Sequence, residues 1–92
     1  MQPMPQNLNC YKSTKIFNQD SIPKAILNRH NNQAGVWGKL IVLAGEVIFV
    51  DLENNCEITA TSERSVNIVP EAWHHLKVTG PVELKVEFYK VS

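Results

Sequence analysis

The chain lacks the features that most catalytic and targeting chemistry leaves in a sequence. Its only cysteines are Cys10 and Cys56, with no CxxC pair between them. Two isolated thiols exclude a disulfide framework and suit reduced residues in a cytoplasmic protein. No Ser-His-Asp order and no glycine-rich phosphate loop occurs. The longest apolar run, residues 40–44, is far too short to cross a bilayer. The amino terminus, Met1-Gln-Pro-Met-Pro-Gln, lacks the basic segment and apolar stretch of a secretory signal. Nine basic residues balance nine acidic ones, and no like-charge run exceeds two residues. Nothing therefore matches the electrostatic footprint of a phosphate backbone. These absences exclude nucleic acid and membrane as partners and lead us to expect a cytoplasmic protein.

What is present reads as one small domain. The chain has 92 residues and a hydrophobic fraction of 43%, ordinary for a globular fold and too high for disorder. Residues 1–9, with Pro3, Pro5 and Asn7, form a loose tail to a single domain spanning 1–92. β-Branched and aromatic residues over 10–17 predict a first strand. Residues 23–27 are the only helix-like patch, too short to stand alone. Residues 36–44 and 46–52 are β-rich runs that Gly45 divides, the pattern of a hairpin with a tight turn. Their apolar residues fall on both faces, Leu40 and Val42 on one and Ile41 and Leu43 on the other, which predicts burial on both sides. Residues 56–61 alternate as a half-buried strand, with Cys56 inward as a small hydrophobe. The last strand, 82–90, sets Val82, Leu84, Val86 and Phe88 against Glu83, Lys85, Glu87 and Tyr89. Seven or eight short strands with regular turn signals predict an all-β sandwich or barrel.

The stretch that organises the rest is Val66-Asn-Ile-Val-Pro-Glu-Ala-Trp-His-His-Leu-Lys-Val78. Pro70 cannot donate to a ladder, so it ends the first strand. In an extended segment from residue 74, side chains alternate between faces. His74 then shares the apolar face with Leu76 and Val78, and His75 shares the other with Lys77. One regular strand cannot aim both at a single site, so His74 is the inward candidate.

Two pieces, Val42-Leu-Ala-Gly-Glu-Val47 and Ser65-Val-Asn-Ile-Val-Pro-Glu-Ala-Trp-His74, resemble the two motifs of a small cupin. More narrowly, Tyr11-Lys-Ser-Thr, Asn28-Arg-His30, Gly35-Val-Trp-Gly-Lys-Leu, Pro70-Glu-Ala-Trp-His-His75 and Val86-Glu-Phe-Tyr89 resemble the small TehB/YeaR-like cupins associated with tellurite resistance. The resemblance implies an all-β, single-domain cupin-like jelly-roll β-barrel (a double-stranded β-helix), often dimeric, with a metal in its mouth. Gly38 stands about where larger metallocupins carry a glutamate. The length leaves no room for the methyltransferase domain that some members carry, so methyl transfer is not carried over.

The expected site is a divalent metal, zinc, iron or nickel, held by His30, His74 and a carboxylate. Glu87 is the third ligand by motif position, although strand parity turns it outward. A bulge would re-aim it, or else it forms an ion pair with Arg29. Glu71, before His74, is the alternative carboxylate. Trp73, Glu71 and Arg29 are candidates for binding a small molecule or oxyanion at the mouth, whereas Trp37 reads as packing. The expected function is a small metallocupin. A non-catalytic dimeric binding or sensing module, or a structural module without metal, is the alternative. Two-sided apolar strands in so short a chain also predict a homodimer. Sedimentation at micromolar concentration should show twice the 10.4 kDa mass of one chain, and a single species of 10.4 kDa rejects association.

Overall fold

The computed structural model describes residues 3–91. The regular structure is almost all strand: β1 (Asn9–Ser13), β2 (Phe17–Asn18), β3 (Trp37–Asp51), β4 (Cys56–Thr61), β5 (Val66–Ile68), β6 (His74–Lys77) and β7 (Val82–Lys90). One helical turn, α1 (Lys24–Leu27), interrupts them. Pro23 precedes that turn, and the Asn28 side-chain amide closes it by donating to the Lys24 carbonyl at 2.7 Å. Ile26 and Leu27 tether it to the core. The strand expected over 10–17 divides into β1 and β2, both lying along β7. Of the tail expected over 1–9, Met1 and Gln2 lie outside the described residues, and β1 already begins at Asn9.

Every ladder is antiparallel, and together they make one seven-stranded sheet in the order β1-β7-β3-β4. β2 pairs with β7, and both β5 and β6 pair with β3. β1 and β4 end that order, and among the described residues no ladder joins them. The pairings thus show an antiparallel β domain with an open sheet; the closed jelly-roll barrel expected from the resemblance is not among them.

β3 decides the shape. Its first half pairs with β7 and β5, and its second half with β4 and β6. The hairpin expected around Gly45 does not form: residues 37–51 are one strand, and its register against β7 slips between Val42 and Ala44. Gly45 has a φ of +73°, and a Cβ there would run into the Pro81 carbonyl oxygen. A turn glycine and a bulge glycine use the same left-handed backbone, so the residue type alone does not separate them. The bulge also changes which residues face inward. Gly38, Leu40 and Val42 are buried before it, and Val47 and Phe49 after it, so even positions give way to odd ones. The change of phase accounts for Val47 and Phe49 turning inward; before it, Leu40 and Val42 face the core and the expected burial on both faces is not found. Leu43 is 43% exposed and Ile41 only half-buried.

One cluster forms the core. Leu40, Val42, Val66, Ile68, Leu84 and Val86 come from the first half of the sheet, and Val47, Phe49, Ala60 and Leu76 from the second. β7 alternates as its sequence does, with Val82, Leu84 and Val86 buried. Cys56 lies at the exposed end of β4 rather than in the core. Gly45→Ala should therefore lower stability by roughly 2–4 kcal/mol, from the left-handed backbone and the collision at Pro81 together. Gly80→Ala, where nothing stands within 4 Å of the new methyl group, should cost little. Urea unfolding of both variants measures the difference, and equal midpoints would refute the corner.

Candidate functional site

The chain leaves β5 through Pro70 and turns at Glu71, whose φ is +64°. The turn is held by the Glu71 N–H donating to the Asn32 carbonyl at 3.1 Å and the Trp73 N–H donating to Glu53 Oε1 at 3.2 Å. β6 then alternates: His74 and Leu76 are buried, His75 is half-buried and Lys77 exposed. A period of two and an apolar neighbour at Leu76 carry His74 inward.

His30 follows α1 in extended backbone and meets β6 edge to edge. Its N–H donates to the His74 carbonyl at 3.0 Å, and the His74 N–H donates to the His30 carbonyl at 2.9 Å. Residues that exchange both bonds across an antiparallel bridge put their side chains on the same face. The two imidazoles accordingly touch, with centroids 4.2 Å apart and planes at 69°. The His74 ring also stacks against Phe49, with centroids 5.2 Å apart and planes at 29°.

Both rings are oriented alike. His30 Nδ1 lies 2.9 Å from the Asn28 carbonyl oxygen, and His74 Nδ1 lies 2.8 Å from that of Ala72, in each case two residues back. A carbonyl only accepts, so each Nδ1 carries the proton and donates it, which leaves each Nε2 as a lone-pair acceptor. His74 is only 2% exposed, and its Nε2 has no partner among the described residues. Burial pushes its pKa from 6.5 down to about 4, with the charge of His30 and, less, of His75 adding to the effect and the Ala72 bond and Asp51 opposing it. At neutral pH the ring is uncharged.

These side chains wall a cavity of about 340 Å³. Leu40, Ile68, Leu76, Val86 and Phe88 supply its apolar surface, and Asn31, Asn32 and Gln33 its polar edge. The Asn32 amide nitrogen is a second buried polar atom without a partner. His74 also borders a neighbouring cavity of about 280 Å³ on the side of Asp51, Glu53 and Glu71. The sequence reading missed Asn32 and Phe49. Asn32 sits in an unpatterned polar loop, and Phe49 changes face only because of the bulge.

The other candidates lie apart from the histidines. Glu87 faces outward opposite Lys39. It accepts from the Tyr89 hydroxyl at 2.8 Å and pairs with Lys85 at 3.4 Å. That hydroxyl bond, then Lys85, hold its carboxyl below the usual range, and the same bond pushes Tyr89 up to about 12. Glu87 is therefore neither a ligand beside His30 nor the partner of Arg29: both register slips along β7 put the extra residue on its partner strands, β1 and β3, so parity prevails. Arg29 stacks instead over the Trp73 ring at 4.4 Å, and Trp73 is 37% exposed. Glu71 is exposed on its turn. Asp51 stands directly across the ladder from His74, but its carboxylate accepts from the Glu53 and Asn54 N–H groups and from the Asn54 side chain. Among the described residues no three of His, Cys, Asp and Glu come together as metal ligands.

A family model of the TehB-like domain matches residues 12–86. The chain belongs to the TehB-like domain family. It is 34% identical over 92 residues to TehB from two strains of Haemophilus influenzae, proteins named as probable S-adenosyl-L-methionine-dependent methyltransferases. That match covers 94% of this chain and 32% of theirs, so the chain spans about a third of the length of these relatives. The crystal structure of H. influenzae TehB superimposes with a TM-score of 0.85 at 33% identity, over 96% of this chain and 33% of that one. A crystal structure of an Escherichia coli K12 protein gives 0.90 at 22% identity, over 100% of this chain and 99% of that one, and shows the shared fold alone.

These findings correct the functional expectation. The relatives are named for methyl transfer with S-adenosyl-L-methionine, not as metallocupins holding zinc, iron or nickel. The match spans about a third of those proteins, so their methyl transfer is not thereby shown for this chain. The larger cavity does not itself fit S-adenosyl-L-methionine. A ribose diol and an ammonium group call for carboxylate acceptors, and none of the described residues lining it is acidic.

The buried imidazole makes stability depend on pH. Its folded pKa lies below its unfolded value, so the unfolded chain binds more protons in between, and stability rises with pH. The penalty is absent above pH 6.5, grows as pH falls, and reaches roughly 3 kcal/mol near pH 4. Glu87 adds a loss only lower, as pH falls through its depressed pKa. His74→Phe should flatten the slope between pH 6.5 and 4. Urea midpoints across that window test this, and parallel profiles for wild type and variant would contradict it.

Proposed function

We propose that this domain is a ligand-holding β module that serves S-adenosyl-L-methionine-dependent methyl transfer. It takes a small organic molecule into the cavity beside His30 and His74 and presents it to a catalytic unit of TehB type. The observation that carries this reading is the unpartnered Nε2 of the buried His74, set in the wall of an apolar cavity of about 340 Å³. An unsatisfied buried acceptor costs stability, so a protein that retains one is usually completed by something else. A concave apolar pocket with a few converging polar groups is the usual form of a small-molecule site. The methyl-transfer setting rests on the TehB relatives.

The same reading takes the bent sheet as a jelly-roll-type barrel left open between β1 and β4. The single core cluster drawn from both halves of β3 supports it. Among the described residues no helix is long and apolar enough to cross a membrane, which agrees with a ligand met in aqueous solution.

Native mass spectrometry tests the proposal. Untagged protein, dialysed and then exposed to the small-molecule fraction of a cell extract, should retain an organic molecule. His74→Phe should retain far less of it. The retained molecule, incubated with S-adenosyl-L-methionine and a TehB-type methyltransferase, should gain one methyl group. Equal retention by wild type and variant would sink the binding site, and a retained molecule that is never methylated would sink the methyl-transfer role.

A further inference from the structure

We infer that the cavity selects uncharged ligands that donate a hydrogen bond, such as alcohols and carboxamides, and turns away oxyanions. This deepens the small-molecule reading above and depends on it.

The argument starts from the two ring tautomers. Because the Asn28 and Ala72 carbonyls take the Nδ1 protons, the imidazoles offer the cavity lone pairs and no N–H. His30 is half-buried and its ring makes no other hydrogen bond among the described residues, so its Nε2 is left without a partner. The His74 ring lines the same cavity, its own Nε2 shielded from solvent and without a partner among the described residues. A group entering here meets imidazole that offers only acceptors, and only a donor satisfies them. An oxyanion brings further lone pairs and negative charge, so it meets repulsion where it needs hydrogen bonds. Of the small molecule or oxyanion expected from the sequence, the oxyanion is therefore the wrong chemistry for this wall.

The remaining lining points the same way. Among the described lining residues Lys12 is the only lysine or arginine, and its ammonium group sits over the Phe88 ring at 5.9 Å, on an exposed strand. It does not stand against the imidazoles as a counter-ion. With no carboxylate in the lining, a buried ligand cation is left uncompensated, and an unpaired buried charge is costly. Exclusion of both signs leaves neutral molecules. The unpartnered Asn32 amide nitrogen then offers a donor for the ligand's own acceptor. A carboxamide answers both kinds of group, and a hydroxyl can do the same. The apolar remainder of such a ligand lies against Leu40, Ile68, Val86 and Phe88.

Benzamide and benzoate separate the two chemistries, because they share a ring and a shape and differ in charge and in the donor. Toluene reports the apolar cavity alone. Titrations followed by backbone amide shifts should be run at pH 8, above the ordinary imidazole range. Benzamide should bind at least about tenfold more tightly than benzoate. His30→Phe and His74→Phe should each lose most of that preference while still binding toluene, which shows that the cavity survives. Equal affinities, tighter benzoate, or a preference untouched in both variants would overturn the selectivity and leave small-molecule binding intact. No binding of any of the three probes would overturn the binding reading as well.

Discussion

A left-handed backbone at Gly45, pressed against the Pro81 carbonyl, allows one strand to serve four partners. Before the corner β3 carries β7 and β5, and after it β4 and β6. The core exists because the bulge restores inward-facing side chains on the far side of the bend. The site depends on the same corner. Leu40 and Val86 reach the cavity from one half of the sheet, and His74 and Leu76 from the other. The angle at β3 thus sets the gap between the two walls, and a side chain at Gly45 would disturb that gap without touching a lining residue.

Period-two alternation was readable wherever a strand runs straight. Val82 through Phe88, and His74 against His75, show their faces in the order of their residues, because one buried face imposes the alternation. At Gly45 the reading failed, since a glycine between two β-rich runs suits a hairpin and a bulge equally well. What separates them is which strands pair, a long-range fact. Ile41 and Leu43 are apolar yet lie on the outer face, so residue type there does not report burial. Glu87 illustrates a different conflict. Its place in a motif argued for the site and its parity against it, and the geometry followed parity, because Tyr89 and Lys85 provide for the carboxylate on the outer face.

The meeting of His30 with His74 was beyond local pattern. His30 follows a helical turn by two residues, and only the backbone bridge to β6 makes the rings neighbours. Their chemistry was less legible still. A histidine pair in a sequence suggests metal, because residue type is all that is visible. Once folded, Asp51 is committed to the turn after β3 and no third ligand joins the pair. The two carbonyls that fix the tautomers belong to Asn28 and Ala72, and no side-chain code announces a carbonyl. The desolvation that keeps His74 neutral likewise comes from the assembled core.

The bridge between residues 30 and 74 is made wholly of main-chain atoms. Their closeness therefore does not depend on both being histidine. The fold holds these two positions as a socket whose contents are interchangeable: either side chain can be replaced while the backbone keeps the spacing and the shared direction. A lineage carrying this domain would be able to change what the cavity recognises one residue at a time, without rebuilding the sheet around it.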